Sequence, residues 1–115
     1  MPLVNLNTNV DISEALSSQL LAQLSKELAS ATGKPENYVM VAITVNKAML
    51  FGGTAEPLAY LECKSIGLSP AQAKALAASL PKIITAALNI KPNRIYIEFS
   101  NCPAEFWGWN GSTFG

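Results

Sequence analysis

Two stretches decide the fold: Lys34-Pro35-Glu36-Asn37 running into 38–45 (KPENYVMVAITV), and Lys91-Pro92-Asn93-Arg94 running into 95–100 (KPNRIYIEFS). Each pairs a Lys-Pro turn with a run rich in β-branched and apolar residues, the signature of a buried strand. The two Lys-Pro pairs lie 57 residues apart (91 − 34), half of the 115-residue chain. Two copies are too few to stack as a repeat array, so the pattern reads as an internal duplication.

Outward from these strands, each half has the same grammar. In the first half, Leu3–Thr8 reads as a strand. Asp11-Ile12-Ser13-Glu14 reads as a helix start of the capping-box kind, with a cap residue followed three positions later by Glu. Leu16, Leu20, Leu24 and Leu28, with Leu21 beside them, mark one apolar helix face, and Gly33 and Pro35 end it. In the second half, residues 58–66 read as a strand. Ser69-Pro70-Ala71-Gln72 opens a helix whose inner face is Leu76, Leu80, Ile83, Ile84 and Leu88. Pro81 falls inside that pattern and is expected to kink or divide the helix. Residues 49–51 read as a short edge piece before the Gly52-Gly53 turn, and 107–109 as a last short strand.

Two β-α-β units give an α+β domain over residues 1–115. Its four-stranded sheet carries both helices on one face. Apolar residues on the other face need a cover, and a second copy of the chain is the natural one. Composition points the same way: 50% of the residues are apolar, a high share for so small a domain.

Composition also excludes whole classes of function. Eight basic and eight acidic residues balance to a formal charge of zero, with no cationic run to follow a nucleic acid. No apolar run approaches the ~18 residues of a membrane span, and no secretory signal is legible, so the expected compartment is the cytoplasm. The chain has two cysteines and no histidine, too few ligands for a zinc site and no basis for a histidine-centred triad. The Gly52-Gly53 pair is not followed by the signature of a phosphate-binding loop. A metal or nucleotide cofactor is therefore not expected. Catalysis would fall to Lys, Tyr, Asp, Glu, Cys or the terminal amine.

That amine is notable. Met1 before Pro2 is a removable pair, and its removal leaves Pro2 with a secondary amine. An α-amino group titrates near pH 8, against about 10.4 for lysine, so modest burial or a nearby cation brings it to neutrality as a base. By position alone, Pro2 is simply the start of a chain.

The rest of the sequence changes that reading. MPLVNLNTNV at 1–10, ATGKP at 31–35, FGGTAEP at 51–57, SIG at 65–67, RIYIEF at 94–99 and GWNGSTFG at 108–115 resemble, in order and end to end, the macrophage migration inhibitory factor family of the tautomerase superfamily. The resemblance implies a homotrimer with three sites at subunit interfaces. It also implies cofactor-free keto–enol tautomerisation of phenylpyruvate- or dopachrome-type substrates, small aromatic 2-keto acids among them. It assigns Pro2 as general base, Lys34 to the substrate carboxylate, the backbone N–H of Ile66 to the substrate, and Tyr96 to the pocket of an adjacent subunit. Leu3, Trp107, Trp109 and Phe114 would wall that pocket.

Three departures accompany the match. Glu98 stands where the family carries a pocket Asn, and a carboxylate there would repel an acidic substrate and raise the Pro2 pKa. Trp107 stands where the cytokine carries a smaller apolar residue. Leu58-Ala59-Tyr60-Leu61 replaces the Cys-x-x-Cys of some members, so their thiol chemistry is not expected. Two other readings of the scaffold remain. One is a cytokine-like signalling protein with a vestigial or regulatory pocket and a receptor as partner. The other is a decarboxylase or dehalogenase, which would usually add an arginine, whereas the chain has only Arg94.

Overall fold

The computed structural model describes residues 1–115. Four strands, β1 (Leu3–Thr8), β2 (Met40–Val45), β3 (Ala59–Ile66) and β4 (Ile95–Cys102), form one sheet in the order β2-β1-β3-β4. β1 runs parallel to β2, and β3 parallel to β4, while the inner pair β1 and β3 is antiparallel. A parallel pair needs a long crossover, and the helices α1 (Glu14–Thr32) and α2 (Pro70–Leu88) supply one to each half. The duplication read from the two Lys-Pro turns is therefore a duplication of structure. The outer strands, β2 and β4, each have one unpaired edge within the protomer.

The strands alternate as a half-covered sheet requires. Val4, Leu6 and Thr8 of β1 and Ala59, Leu61 and Cys63 of β3 point to the helix side and are buried. There they meet Leu20, Leu24 and Leu28 of α1 and Leu76, Leu80, Ile84 and Leu88 of α2 in one core. The four-residue leucine spacing thus produces a stripe on each helix, and both stripes cover the same sheet face. Each fully buried leucine contributes roughly 1.5–3 kcal/mol of apolar burial. Thr8, a polar member of this layer, donates from Oγ1 to the Leu58 carbonyl at 2.7 Å, so its own hydroxyl is not left unpaired.

The opposite face is open. Register places three rows across it: Met40, Leu3, Lys64 and Ser100; then Ala42, Asn5, Glu62 and Glu98; then Thr44, Asn7, Tyr60 and Tyr96. Its large apolar and aromatic residues sit at the two ends, and the middle carries Asn5, Glu62 and Glu98 beside Ala42.

Helix ends follow local chemistry. At α2, Ser69 Oγ accepts from the Gln72 N–H at 3.1 Å and Gln72 Oε1 accepts from the Ser69 N–H at 2.9 Å, the full reciprocal box. At α1 the cap is Ser13, whose Oγ accepts from the Leu16 N–H at 3.2 Å. The Asp11–Glu14 pairing expected from the sequence is not the cap. Glu14 is instead the first helical residue, where its charge complements the helix N-terminus. Gly33 (φ 69°) closes α1 in the left-handed region that glycine adopts without penalty.

Three other expectations are corrected. Helix α2 is not divided at Pro81 but continues to Leu88. The buried Leu80, Ile84 and Leu88 hold both sides of the proline to the core, and this packing outweighs a local cost of about 3 kcal/mol. Residues 49–51 form no strand, only a single bridge from Phe51 to Thr54 around Gly52-Gly53. Strand β2 begins at Met40, because Glu36–Tyr38 is a 3-10 turn, as is Pro92–Arg94 after the second Lys-Pro pair. The chain ends in a hairpin, β5 (Gly108–Trp109) against β6 (Ser112–Thr113). Its turn is Asn110-Gly111, both at positive φ (53° and 79°) as a two-residue hairpin favours.

No helix is long and apolar enough to cross a membrane. No group of three or more His, Cys, Asp or Glu side chains is placed to hold a metal ion.

Candidate active site

Pro2 lies at the entry to β1 with its side chain fully buried. Its carbonyl accepts from the Met40 N–H at 3.0 Å, which fixes the chain start alongside the start of β2. Around it opens a cavity of about 240 Å³. Met1, Pro2 and Leu3 form one side, and the segment from Asn37 to Met40 forms a second. The third is the C-terminal hairpin with its flanking Trp107 and Phe114, tied by a bond from the Phe114 N–H to the Trp107 carbonyl at 3.1 Å.

The wall is an aromatic stack. Trp109 and Phe114 lie nearly parallel with ring centroids 5.8 Å apart. Tyr38 meets both edge-on, at 5.5 Å from Trp109 and 6.4 Å from Phe114. These are the separations at which aromatic pairs attract beyond simple burial. The hairpin is short, and this stack is what seats it on the first half of the chain. The result is an apolar slot of the size and lining that accept a small planar ligand.

The electrostatics favour a neutral amine. The terminal amine of Met1 is pushed below the ordinary α-amino value, chiefly by burial and secondarily by the positive charge of Lys34. Both disfavour the ammonium form. Pro2 is buried more deeply than Met1. While Met1 is attached, the Pro2 nitrogen is an amide and carries no basic lone pair. Removal of Met1 makes it the terminal amine.

Of the residues singled out from sequence, the cavity gathers Pro2, Leu3, Trp107, Trp109 and Phe114. Lys34, half-buried just beyond the end of α1, reaches it through its charge. Ile66 lies outside the lining, on the open sheet face, two residues beyond the Lys64 that pairs with Leu3. Tyr96 and Glu98 are exposed on the same face, in other rows. Tyr96 stands four residues along β4 from Ser100, which shares a row with Leu3, and two strands away from it. That is roughly 13 Å along and 10 Å across the sheet, so Tyr96 cannot reach the Pro2 of its own chain. Glu98 faces Glu62 across the β3–β4 pair. Both charges, after burial, raise the pKa of Tyr60 in the next row.

Sequence reasoning missed Asn37, Tyr38, Val39 and Met40, which line the cavity. They lie in a turn and strand start that read as scaffold. Tyr38, an aromatic beside a Lys-Pro turn, was the one available signal. The arginine is already occupied: Arg94 donates to the carbonyls of Phe51 (2.7 Å), Glu56 (2.9 Å), Thr54 (3.3 Å) and Pro57 (3.3 Å). It is not free to hold a substrate carboxylate. The thiols differ too. Burial pushes Cys63 up to about 11, while Cys102 is half-buried on the open face.

The sequence matches the profile of the macrophage migration inhibitory factor family over residues 1–115. Macrophage migration inhibitory factor of Xenopus laevis is 40% identical over 115 residues, covering 99% of both chains. A homolog from Brugia malayi is 40% identical over 116 residues, covering 100% of both. The crystal structure of the homologue from Prochlorococcus marinus superposes with a TM-score of 0.92 at 42% identity, over 98% of this chain and 99% of that one. On profile, sequence and fold together, the chain belongs to the macrophage migration inhibitory factor family, which includes both tautomerases and cytokines.

Proposed function

We propose that the chain is a cofactor-free keto–enol tautomerase of phenylpyruvate- or dopachrome-type substrates. It acts as a homotrimer, with the Pro2 amine as general base once Met1 is removed. The observation that supports this best is the environment of the chain start: a buried proline at the floor of an aromatic slot, where burial and Lys34 already depress the amine of Met1 one residue away.

The reaction needs little else. The aromatic ring of the substrate lies against Tyr38, Trp109 and Phe114, and its carboxylate faces Lys34. The neutral Pro2 nitrogen takes a proton from the carbon next to the carbonyl. The electrons of that C–H bond form the enol C=C, and the carbonyl π pair moves onto oxygen. Charge on that oxygen is met by the Ile66 N–H and by the Tyr96 hydroxyl of a neighbouring protomer, donors of the kind that stabilise a developing oxyanion. That oxygen then takes a proton from solvent while the prolinium gives its own back to solvent, which completes the enol and restores the neutral amine. Ketonisation is the reverse, with the prolinium delivering a proton to carbon. A base whose pKa lies near the working pH suits both directions. The distance of Tyr96 from its own Pro2 supports the trimer, since only another copy brings the two together.

Two measurements test this. Intact mass of the cellular protein should lack the mass of one methionine. Pro2→Gly should retain the fold by circular dichroism and lose most turnover of phenylpyruvate. A retained Met1, or full activity in Pro2→Gly, overturns the assignment. An intact, ligand-accepting pocket with no turnover, joined to specific binding of a cell-surface receptor, would favour a signalling role instead.

A further inference from the structure

The loop from Phe51 to Pro57 contains two glycines at positive φ, Gly52 (59°) and Gly53 (78°), and a single bridge between Phe51 and Thr54. Little in the loop itself gives it one shape. Its order comes from outside: Asn9 Nδ2 donates to the Ala55 carbonyl at 2.9 Å, and the Arg94 guanidinium, the one holding the Phe51 end, collects the carbonyls of Phe51, Thr54, Glu56 and Pro57. The same guanidinium carbon lies 5.1 Å from the centre of the Phe51 ring, within cation–π range. The other neighbour of Phe51 is Tyr96, with ring centroids 4.5 Å apart and planes tilted by 36°. Tyr96 is 66% exposed, so within the protomer Phe51 is the aromatic contact that restrains its ring. The chain Arg94, Phe51, Tyr96 is continuous, and it ends on the phenol.

We propose that Arg94 is a positioning residue. By fastening the 51–57 loop and holding Phe51 beneath its guanidinium, it sets the ring angle at which Tyr96 presents its hydroxyl to a neighbouring protomer. The inference rests on the reading above, in which Tyr96 serves an adjacent pocket. Lysine cannot replace the arginine here. An ammonium offers one point of charge, whereas the loop needs donors spread over a planar fork. Misplacing a group in an active site by about 1 Å costs up to ~10²-fold in rate, so the looser Tyr96 should show in turnover.

The test uses the full-length protein with its three tyrosines replaced biosynthetically by 3-fluorotyrosine, the Tyr96 resonance being assigned with Tyr96→Phe. Arg94→Lys and Phe51→Leu should each shift the Tyr96 fluorine signal toward its solvent-exposed position, with the signal of Tyr38, beside β2 at the far border of the sheet, unmoved. In turnover of phenylpyruvate, Phe51→Leu should lower kcat/KM about tenfold, chiefly through kcat. The same substitution should cost almost nothing in a Tyr96→Phe background, because the hydroxyl it would misplace is absent. An unmoved Tyr96 signal in both variants, or an equal loss from Phe51→Leu in both backgrounds, overturns the proposal. Phe51→Leu keeps the test alive should Arg94→Lys fail to fold. A wild-type protein without turnover would overturn the functional reading alone, and the fluorine signal would then decide the positioning by itself, in either direction.

Discussion

The molecule builds the same corner twice and uses the two differently. In each half a Lys-Pro turn enters an outer strand beside the start of an inner one. At the first, Asn37 and Tyr38 follow the turn, and the entry to β1 is left as a cavity walled by the C-terminal hairpin. At the second, Arg94 and Ile95 stand in the matching places, and the guanidinium draws four loop carbonyls over the entry to β3. Asn37 is the counterpart of Arg94 in the repeated phrase. A duplicated scaffold thus yields one open corner and one sealed corner, and the chemistry of one turn position separates them. The open corner also holds the chain terminus, which no internal strand start can offer.

The sharpest way to break the comparison is at the terminus. Pro2→Gly should lower kcat/KM for phenylpyruvate by about 10²–10⁴-fold, the usual worth of a positioned base, while Leu58→Val at the sealed corner should leave the rate near wild type. Next is the seal itself. Arg94→Met removes donors from several carbonyls at once, and at about 1 kcal/mol for each hydrogen bond lost urea unfolding should show a loss of ~2–3 kcal/mol. Asn37→Ala at the open corner makes no such bond to lose and should unfold within about 0.5 kcal/mol of wild type.

The electrostatic side of the open corner comes third. Burial and Lys34 lower the amine of Met1; the more deeply buried Pro2 amine exposed by its removal meets the same two influences, so the limb of the kcat/KM profile that rises with pH should sit below the range of an ordinary α-amine. Lys34→Ala removes one of the two causes. The limb should then move to higher pH, while burial, the larger cause, still holds it below an ordinary α-amine. A limb that does not move would separate Lys34 from the base. The smallest effect concerns the helix starts. Ser69→Ala dismantles a reciprocal box and should cost about 1 kcal/mol, and Ser13→Ala, with one bond to lose, somewhat less, both read from thermal unfolding.

The sequence carried the scaffold well because the scaffold is set by short-range regularities. Leucines four apart, Ser69-Pro70 with Gln72, and Gly33 each act within one turn of chain. The misreadings arose where two local signals competed or where distant packing decided. Asp11 and Ser13 both offered a cap, and only the geometry of the first turn chose Ser13. Pro81 carried a helix-breaking signal that core contacts on either side overrode. The second strand of the terminal hairpin, Ser112–Thr113, is too short to show any alternation. The site was legible at Pro2 and its aromatic wall, but Asn37 to Met40 enter it only because β2 lies beside β1, a pairing between residues 37 apart. Tyr96 lies too far from its own Pro2 for one protomer to join them, so the role proposed for it depends on a neighbour's geometry that no single chain contains.

Both borders of the sheet have a further consequence. β2 and β4 each end the protomer on unpaired amides and carbonyls, and a flat border of that kind is a template for linear polymerisation. Closing a small number of copies into a ring consumes every border at once and leaves nothing for a further copy to extend. In the proposed homotrimer, quaternary closure would then serve solubility as well as chemistry: a substitution that opened such a ring would produce fibres or precipitate, not a well-behaved monomer.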